Sequence, residues 1–229
     1  IRHIRSPRGL SRARNAGLAL ARGEIIAFPD DDCWFREGLL AEVCATFDRH
    51  PDWDGMTGRS VTGEGYVSGG RFDRHPGRVT LASVWTRGIS YTIFLRRKVI
   101  EAVGPFDETL GLGAGTPFGS GEESDYLIRA IQAGQQIYYR PDLVVCHPDV
   151  TPRYDGSAFR RARSYGTGMG RVLRKHCYGL RPLARAILRP AGGALVSLLT
   201  LRPNKARYHL NMVLGRIAGL MASAPDHSP

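Results

Sequence analysis

The spacing of apolar positions divides the chain into alternating helical and extended stretches. Residues 12–21, RARNAGLALA, read as a helix that Ser11 caps and Gly23 closes. A short apolar run from Glu24 to Phe28 follows at once and stops at Pro29, the pattern of a buried strand. Leu39, Leu40, Val43, Cys44 and Phe47 recur at helical spacing over residues 36–49, and Pro51 ends that helix. Residues 55–80 are rich in Gly, Arg and Ser, with Gly69-Gly70 and Pro76-Gly77 as turn signals, and read as short strands and a mobile loop. Residues 90–95 are a strand by composition, and 96–103 a short helix with Val99, Ile100 and Val103 inward. A further helix opens at Glu122, turns Leu127, Ile128 and Ile131 inward and ends before Gly134; strands follow at 137–139 and 143–146.

Helix leading directly into strand places the chain in the α/β class. The helix at 12–21 with the strand after it is the second half of a βαβ unit, whose opening strand is at best a remnant at residues 1–5. A whole unit needs about 30 residues, so an earlier unit is expected upstream of Ile1.

Charge divides the chain more sharply than hydropathy does. Residues 1–152 hold 18 Lys and Arg against 19 Asp and Glu, whereas residues 153–229 hold 14 against 2. The expected organisation is therefore a near-neutral body, 1–152, and a basic helical extension, 153–229. In that extension Arg153, Arg160, Arg161 and Arg163 lie on a helix interrupted at Gly166-Thr167-Gly168. The apolar run at 191–201 is too short to span a bilayer. This pattern suits helices lying on an anionic membrane surface, and equally helices packed on the body with solvated arginines. The four cysteines are scattered, without zinc or disulfide spacing, which points to a reducing, cytoplasmic setting, and the basic helices add a peripheral place on the inner face of the cell membrane. The neutral body and the lack of a nucleic-acid motif exclude nucleic acid as the expected partner.

Candidate chemistry starts with Asp30-Asp31-Asp32 at the end of the 24–28 strand. Three adjacent carboxylates repel one another unless a cation or hydrogen bonds absorb the charge. Their oxygens suit Mg²⁺ or Mn²⁺ shared with a diphosphate; a solvated turn that caps the next helix is the plainer reading. The loop 111–121 carries five glycines and allows close backbone approach to a ligand, or a lid. It ends in Glu122-Glu123-Ser124-Asp125, acids that either complement the helix dipole or supply a general base. His147 follows the last strand at the same kind of edge, as a structural residue or a metal ligand.

Four motifs, in this order, resemble glycosyltransferase family 2: Arg14-Asn15-Ala16-Gly17; Asp30-Asp31-Asp32 after an apolar strand; Val103-Gly104-Pro105-Phe106-Asp107-Glu108; and Gly121-Glu122-Glu123-Ser124-Asp125-Tyr126-Leu127 followed by Arg129. The likeness spans about residues 9–170 and lacks the first strand and loop that grip the donor base. It implies a GT-A fold, a mixed and mainly parallel sheet flanked by helices. It further implies inverting transfer of a sugar from a nucleotide-sugar donor to a glycan or lipid-linked acceptor, in cell-surface or extracellular polysaccharide or glycolipid synthesis. By the same resemblance, Asp30, Asp32 and His147 hold the metal, and Asp30 and Asp31 face the donor diphosphate. Arg14 and Asn15 lie near the nucleotide, and Glu122 lies on the acceptor side. Glu123 or Asp125 is the base, because the family's Glu-Asp pair is Glu122-Glu123 here. A non-catalytic glycan- or partner-binding relative is the alternative.

Overall fold

The computed structural model describes residues 2–148 and 153–223. Its elements are α1 (Leu10–Leu18), β1 (Ile25–Ala27), β2 (Trp34–Phe35), α2 (Leu39–Arg49), β3 (Gly55–Val61), β4 (Gly77–Arg78), β5 (Ile93–Arg96), α3 (Arg97–Val103), α4 (Glu122–Gln132), β6 (Ile137–Cys146), α5 (Gly156–Lys175), α6 (Leu180–Leu199) and α7 (Pro203–Met221). They fall into two compact units. One comprises Gly17–Phe106 and Glu123–Thr151, the other Ile1–Ala16, Asp107–Glu122 and Pro152–Pro229. This grouping differs from a division at 152/153. Backbone and hydroxyl hydrogen bonds explain it: Leu10 N–H donates to Leu112 O, the Ser11 hydroxyl to Leu110 O, and Gly119 N–H to Ser164 O.

The first unit is built on a mixed sheet of order β1-β5-β3-β6-β2, with β4 paired to β6. The mixed α/β fold is as expected, but adjacent strands are mostly antiparallel: only β3 and β6 pair parallel. The reason is local. β5 enters between β1 and β3 and runs against both, so β1, β3 and β6 still point the same way. Their C-terminal ends share one edge. The 137–139 and 143–146 strands are one strand, β6, with a register shift where it pairs with β3 between Thr57 and Arg59.

Alternation along the strands sorts the core. Met56, Phe94, Leu143 and Val145 pack with the inward stripe Leu39, Val43 and Phe47 of α2. Arg96 clamps the end of that helix, donating to Phe47 O and Trp53 O with its guanidinium over the Phe47 ring. Ile26 and Phe28 alternate with the α2-facing positions, and Phe28 meets Phe106 and Tyr126, the ring centroids 5.1 and 6.2 Å away. The end of β1 is thereby set against the first turn of α4. The Gly-Pro-Phe motif belongs to the same bracket: Arg129 donates to Val103 O and Pro105 O, and the Tyr126 hydroxyl to Gly104 O.

Several expected boundaries move for visible reasons. Ser11 caps nothing; it lies inside α1 and its buried hydroxyl goes to Leu110. α1 stops at Leu18 rather than 21: Leu20 and Ala21 N–H turn to Gly17 and Leu18 O, three residues back, and Arg97 then takes the carbonyls of Ala21 and Gly23. Residues 90–92 form a 3-10 turn before β5. Residues 2–5 form no strand, and Ile1 lies outside the described residues.

The second unit is helical. α5 runs unbroken through Gly166-Thr167-Gly168, contrary to the expected interruption. Gly166 and Gly170 on α5 face Gly215 and Gly219 on α7, two G-x-x-x-G motifs that form one seam. A methyl at Gly170, Gly215 or Gly219 would run into the backbone of the facing helix at Arg216, Arg163 or Thr167 respectively. Missing side chains let the backbones touch, and this gain outweighs the roughly 1 kcal/mol helix-propensity cost of each glycine. The 111–121 loop is packed here too, with Leu110, Ala114 and Phe118 buried. Gly111, Gly113, Gly115 and Gly121 all have positive φ, between 74° and 96°, so its glycines answer backbone turns rather than an open lid.

Candidate active site

The acid triplet sits on the link between β1 and β2, the two outer strands of the sheet order. Asp30 to Cys33 forms a turn, closed by Cys33 N–H donating to Asp30 O at 3.3 Å. No acid of the triplet caps α2, whose N-cap is Gly38 and which begins only after β2. The Asp30 carboxylate accepts from Ser90 Oγ at 3.4 Å, and Asp31 is exposed. Asp32 remains 52% exposed and places Oδ1 3.1 Å from His147 Nε2. The triplet and the residue after β6 therefore meet at the edge where β1, β3 and β6 all end.

His147 is fixed from three sides. Its Nδ1 lies 2.7 Å from Pro148 O, its ring stacks on Tyr91 with centroids 4.8 Å apart, and its carbonyl accepts from Ser68 Oγ. A carbonyl only accepts, so the Nδ1–H donates to Pro148 O, and this contact turns Nε2 toward Asp32. A ring nitrogen oriented by a backbone carbonyl on its other side is the arrangement of a metal-ligating histidine. Tyr91 is anchored in turn by donating to Ser60 Oγ at 2.9 Å. Burial pushes its phenol up to about 12, the Ser60 bond opposes this, and Asp30 adds to it. Burial likewise raises the Cys33 thiol, with Asp30 and Asp32 adding, so the thiol stays neutral between the acids.

The donor set fits a divalent ion shared with a ligand. Adjacent ligands of an octahedral ion with bonds of about 2.1 Å stand about 3 Å apart, and Asp32 Oδ1 and His147 Nε2 are 3.1 Å apart. Among the described residues no group of three or more His, Cys, Asp or Glu gathers around one point. Two protein ligands leave the other coordination positions to phosphate oxygens and water, the arrangement such ions favour.

The acids of α4 separate into different environments. Asp125 is fully buried and paired with Arg129 at 3.0 Å, inside the bracket that holds Val103 and Pro105. Glu123 is half-buried on the first turn. Glu122 belongs to the other unit, where it pairs with Arg14 at 3.0 Å, the two side chains 6% and 8% exposed. Asn15, also in that unit, donates to Glu108, which Arg12 pairs as well. The structure thus brings together Asp30, Asp32 and His147, sets Glu123 and Asp125 on the helix turn beside the end of β1, and gives Arg14, Asn15 and Glu122 partners in the helical unit. Sequence reasoning missed Tyr91, Ser90 and Ser60. Their only sequence signal was small polar residues beside an aromatic at a strand start.

The mixed α/β sheet matches GT-A glycosyltransferases in fold. The solved mannosyltransferase of Pyrobaculum calidifontis, in complex with GDP-Man and Mn²⁺, superposes with a TM-score of 0.56 at 17% identity, covering 94% of this chain and 67% of that one. Residues 1–104 match the model of glycosyl transferase family 2. Glycosyltransferase AglE of Haloferax volcanii is 29% identical over 150 residues, 61% of this chain and 44% of that protein. Pre-mycofactocin glycosyltransferase of Mycobacterium tuberculosis is 29% identical over 231 residues, 96% of this chain and 44% of that protein. The chain spans less than half the length of these two relatives.

Proposed function

We propose that the protein is an inverting glycosyltransferase that moves a sugar from a nucleotide-diphosphate donor to a hydroxyl of a glycan or lipid-linked acceptor, in cell-surface or extracellular polysaccharide or glycolipid synthesis. The observation that carries this is the Asp32–His147 pair at the strand edge, with the nitrogen of His147 oriented by Pro148. The family match and the relatives' names support glycosyl transfer. The donor class and a divalent ion gain support from the GDP-Man and Mn²⁺ of the fold neighbour.

Asp32 and His147 would hold Mn²⁺ or Mg²⁺, with Asp30 beside them, and Tyr91 keeps the imidazole in place. A bound ion supplies positive charge to the departing diphosphate. Inversion requires attack from the side opposite the leaving group, so the base stands across the sugar from the acids. Glu123 is our choice for it: half-buried on a helix turn, it can reach an acceptor hydroxyl and take its proton. Asp125 is committed to Arg129 and holds the turn that presents Glu123.

The basic helices support work at a membrane surface, on the inner face of the cell membrane. Leu188, Leu195 and Leu199 form an exposed stripe along α6, between 58% and 75% accessible, on helices that carry many arginines. Among the described residues no helix is long and apolar enough to cross a membrane.

Release of nucleoside diphosphate by the full-length protein tests the reading. Asp32→Ala is expected to lower turnover about 10³-fold, by loss of several kcal/mol of charge stabilisation, and Glu123→Gln by about 10²- to 10⁴-fold. Chelation of divalent ions should stop it. Turnover indifferent to all three would overturn the residue roles and the metal assigned here, and no turnover at all would leave a binding protein.

A further inference from the structure

The helical unit contains a cavity of about 620 Å³ along the seam of α5 and α7. Arg160, Arg163 and Arg207 line it, with Ser164 beside them and Phe118 and Phe159 supplying apolar wall. The Arg207 guanidinium lies over the Phe159 ring at 4.8 Å, which fixes its plane and leaves its N–H edges free to donate. Among the described residues none of the three guanidiniums pairs with a carboxylate. The sequence explains why: between Asp155 and Asp226 there is no acid at all. Asp155 is itself occupied, accepting from the backbone of Ser157 and Ala158 as the cap of α5.

Three like charges around one hollow repel, and the arrangement gains stability when an anion enters. Guanidinium groups match phosphate oxygens in forked, charge-assisted hydrogen bonds. The aromatic walls add a place for an apolar group next to that phosphate. We propose that this cavity binds a phosphate or diphosphate carried on an apolar chain, its charged end on Arg160, Arg163 and Arg207 and its first apolar segment on Phe118 and Phe159. A lipid-linked acceptor presents that chemistry, and the proposal rests on the transferase reading for this identity alone; the cavity and its charge stand without it.

The test uses the full-length protein and phosphatidylcholine vesicles with and without a polyprenyl phosphate, with inorganic diphosphate as a soluble competitor. The variant pair Arg160→Gln/Arg163→Gln is compared with Arg181→Gln/Arg185→Gln, which removes the same charge from α6 outside the cavity. Both pairs replace exposed side chains, and a thermal melt confirms that each folds. The cavity pair is expected to weaken binding to the polyprenyl phosphate vesicles on the order of tenfold or more, the α6 pair less than twofold, and inorganic diphosphate should compete. Equal losses from the two pairs, or none, would overturn the proposal by reducing it to general surface charge. Inorganic diphosphate bound with the same sensitivity, but no preference for the doped vesicles, would replace the lipid with a soluble phosphate and overturn the assignment of the ligand. Asp32→Ala separates the readings, since it should lower turnover about 10³-fold and leave vesicle binding unchanged.

Discussion

The two units bury themselves by opposite means. In the sheet unit, large side chains interlock: Phe47, Met56, Phe94, Tyr126 and Tyr139 are almost fully enclosed, and its most deeply buried charge, Asp125, has a guanidinium against it. In the helical unit the closest packing is made by what is absent, the side chains of Gly166, Gly170, Gly215 and Gly219, while arginines ring a cavity with no acid beside them. The sheet unit positions chemistry by filling space; the helical unit leaves a hollow and lines it with charge. The difference also predicts what each unit tolerates. A sheet core absorbs a lost methylene at moderate cost, whereas a helix seam at backbone contact has no slack for an added one.

The sharpest test of the sheet unit sets two neighbouring acids against each other. Glu123→Gln is expected to remove turnover by 10²-fold or more and leave the melting temperature alone. Asp125→Asn strips the charge opposite Arg129 and should cost about 3–5 kcal/mol of stability, read by urea denaturation. If Asp125→Asn leaves stability intact and stops turnover, the roles assigned to the two acids are exchanged. For the helical unit, Gly219→Ala is expected to destabilise by about 1–3 kcal/mol, with faster amide exchange concentrated in α5 and α7. A neutral outcome would mean that the seam opens freely.

The smallest effect is read by pH and is largest in the sheet unit. Burial pushes the phenols of Tyr91, Tyr126 and Tyr139, all in the sheet unit, up to about 12. An unfolded phenol ionises near 10, so the unfolded chain releases these protons first. Stability from this source is complete below about pH 10 and declines as pH rises toward 12. Tyr91→Phe should make the decline shallower, measured by melts across that range.

Much of this was legible in the sequence, for physical reasons. Leu39, Val43 and Phe47 lie on α2 where their spacing placed them, because nothing competes with an amphipathic stripe facing a sheet. Asp32 and His147 each stood at the end of an apolar run, so topology alone brought them to one edge. The direction of adjacent strands was not legible, because β5 enters between β1 and β3 through long-range pairing that leaves no local mark. Gly166-Thr167-Gly168 misled for a related reason. Glycine is a breaker by local propensity, and only the facing glycines of α7 reveal the gain that overrides it. Arg14 and Glu122 lie 108 residues apart in the chain, and no pattern foretold their ion pair.

The short run from Phe28 to Cys33 is moored at both ends, to β1 on one flank of the sheet and to β2 on the other. Four strand spacings amount to about 19 Å, and seven residue steps reach at most about 25 Å. A turn consumes part of that reach, so the sheet must curl for the run to close the circuit. The height of the acid triplet above the strand ends is therefore set by chain length, as a bridge deck is set by its piers. Deleting one residue there would pull on the two outer strands before it moved a carboxylate.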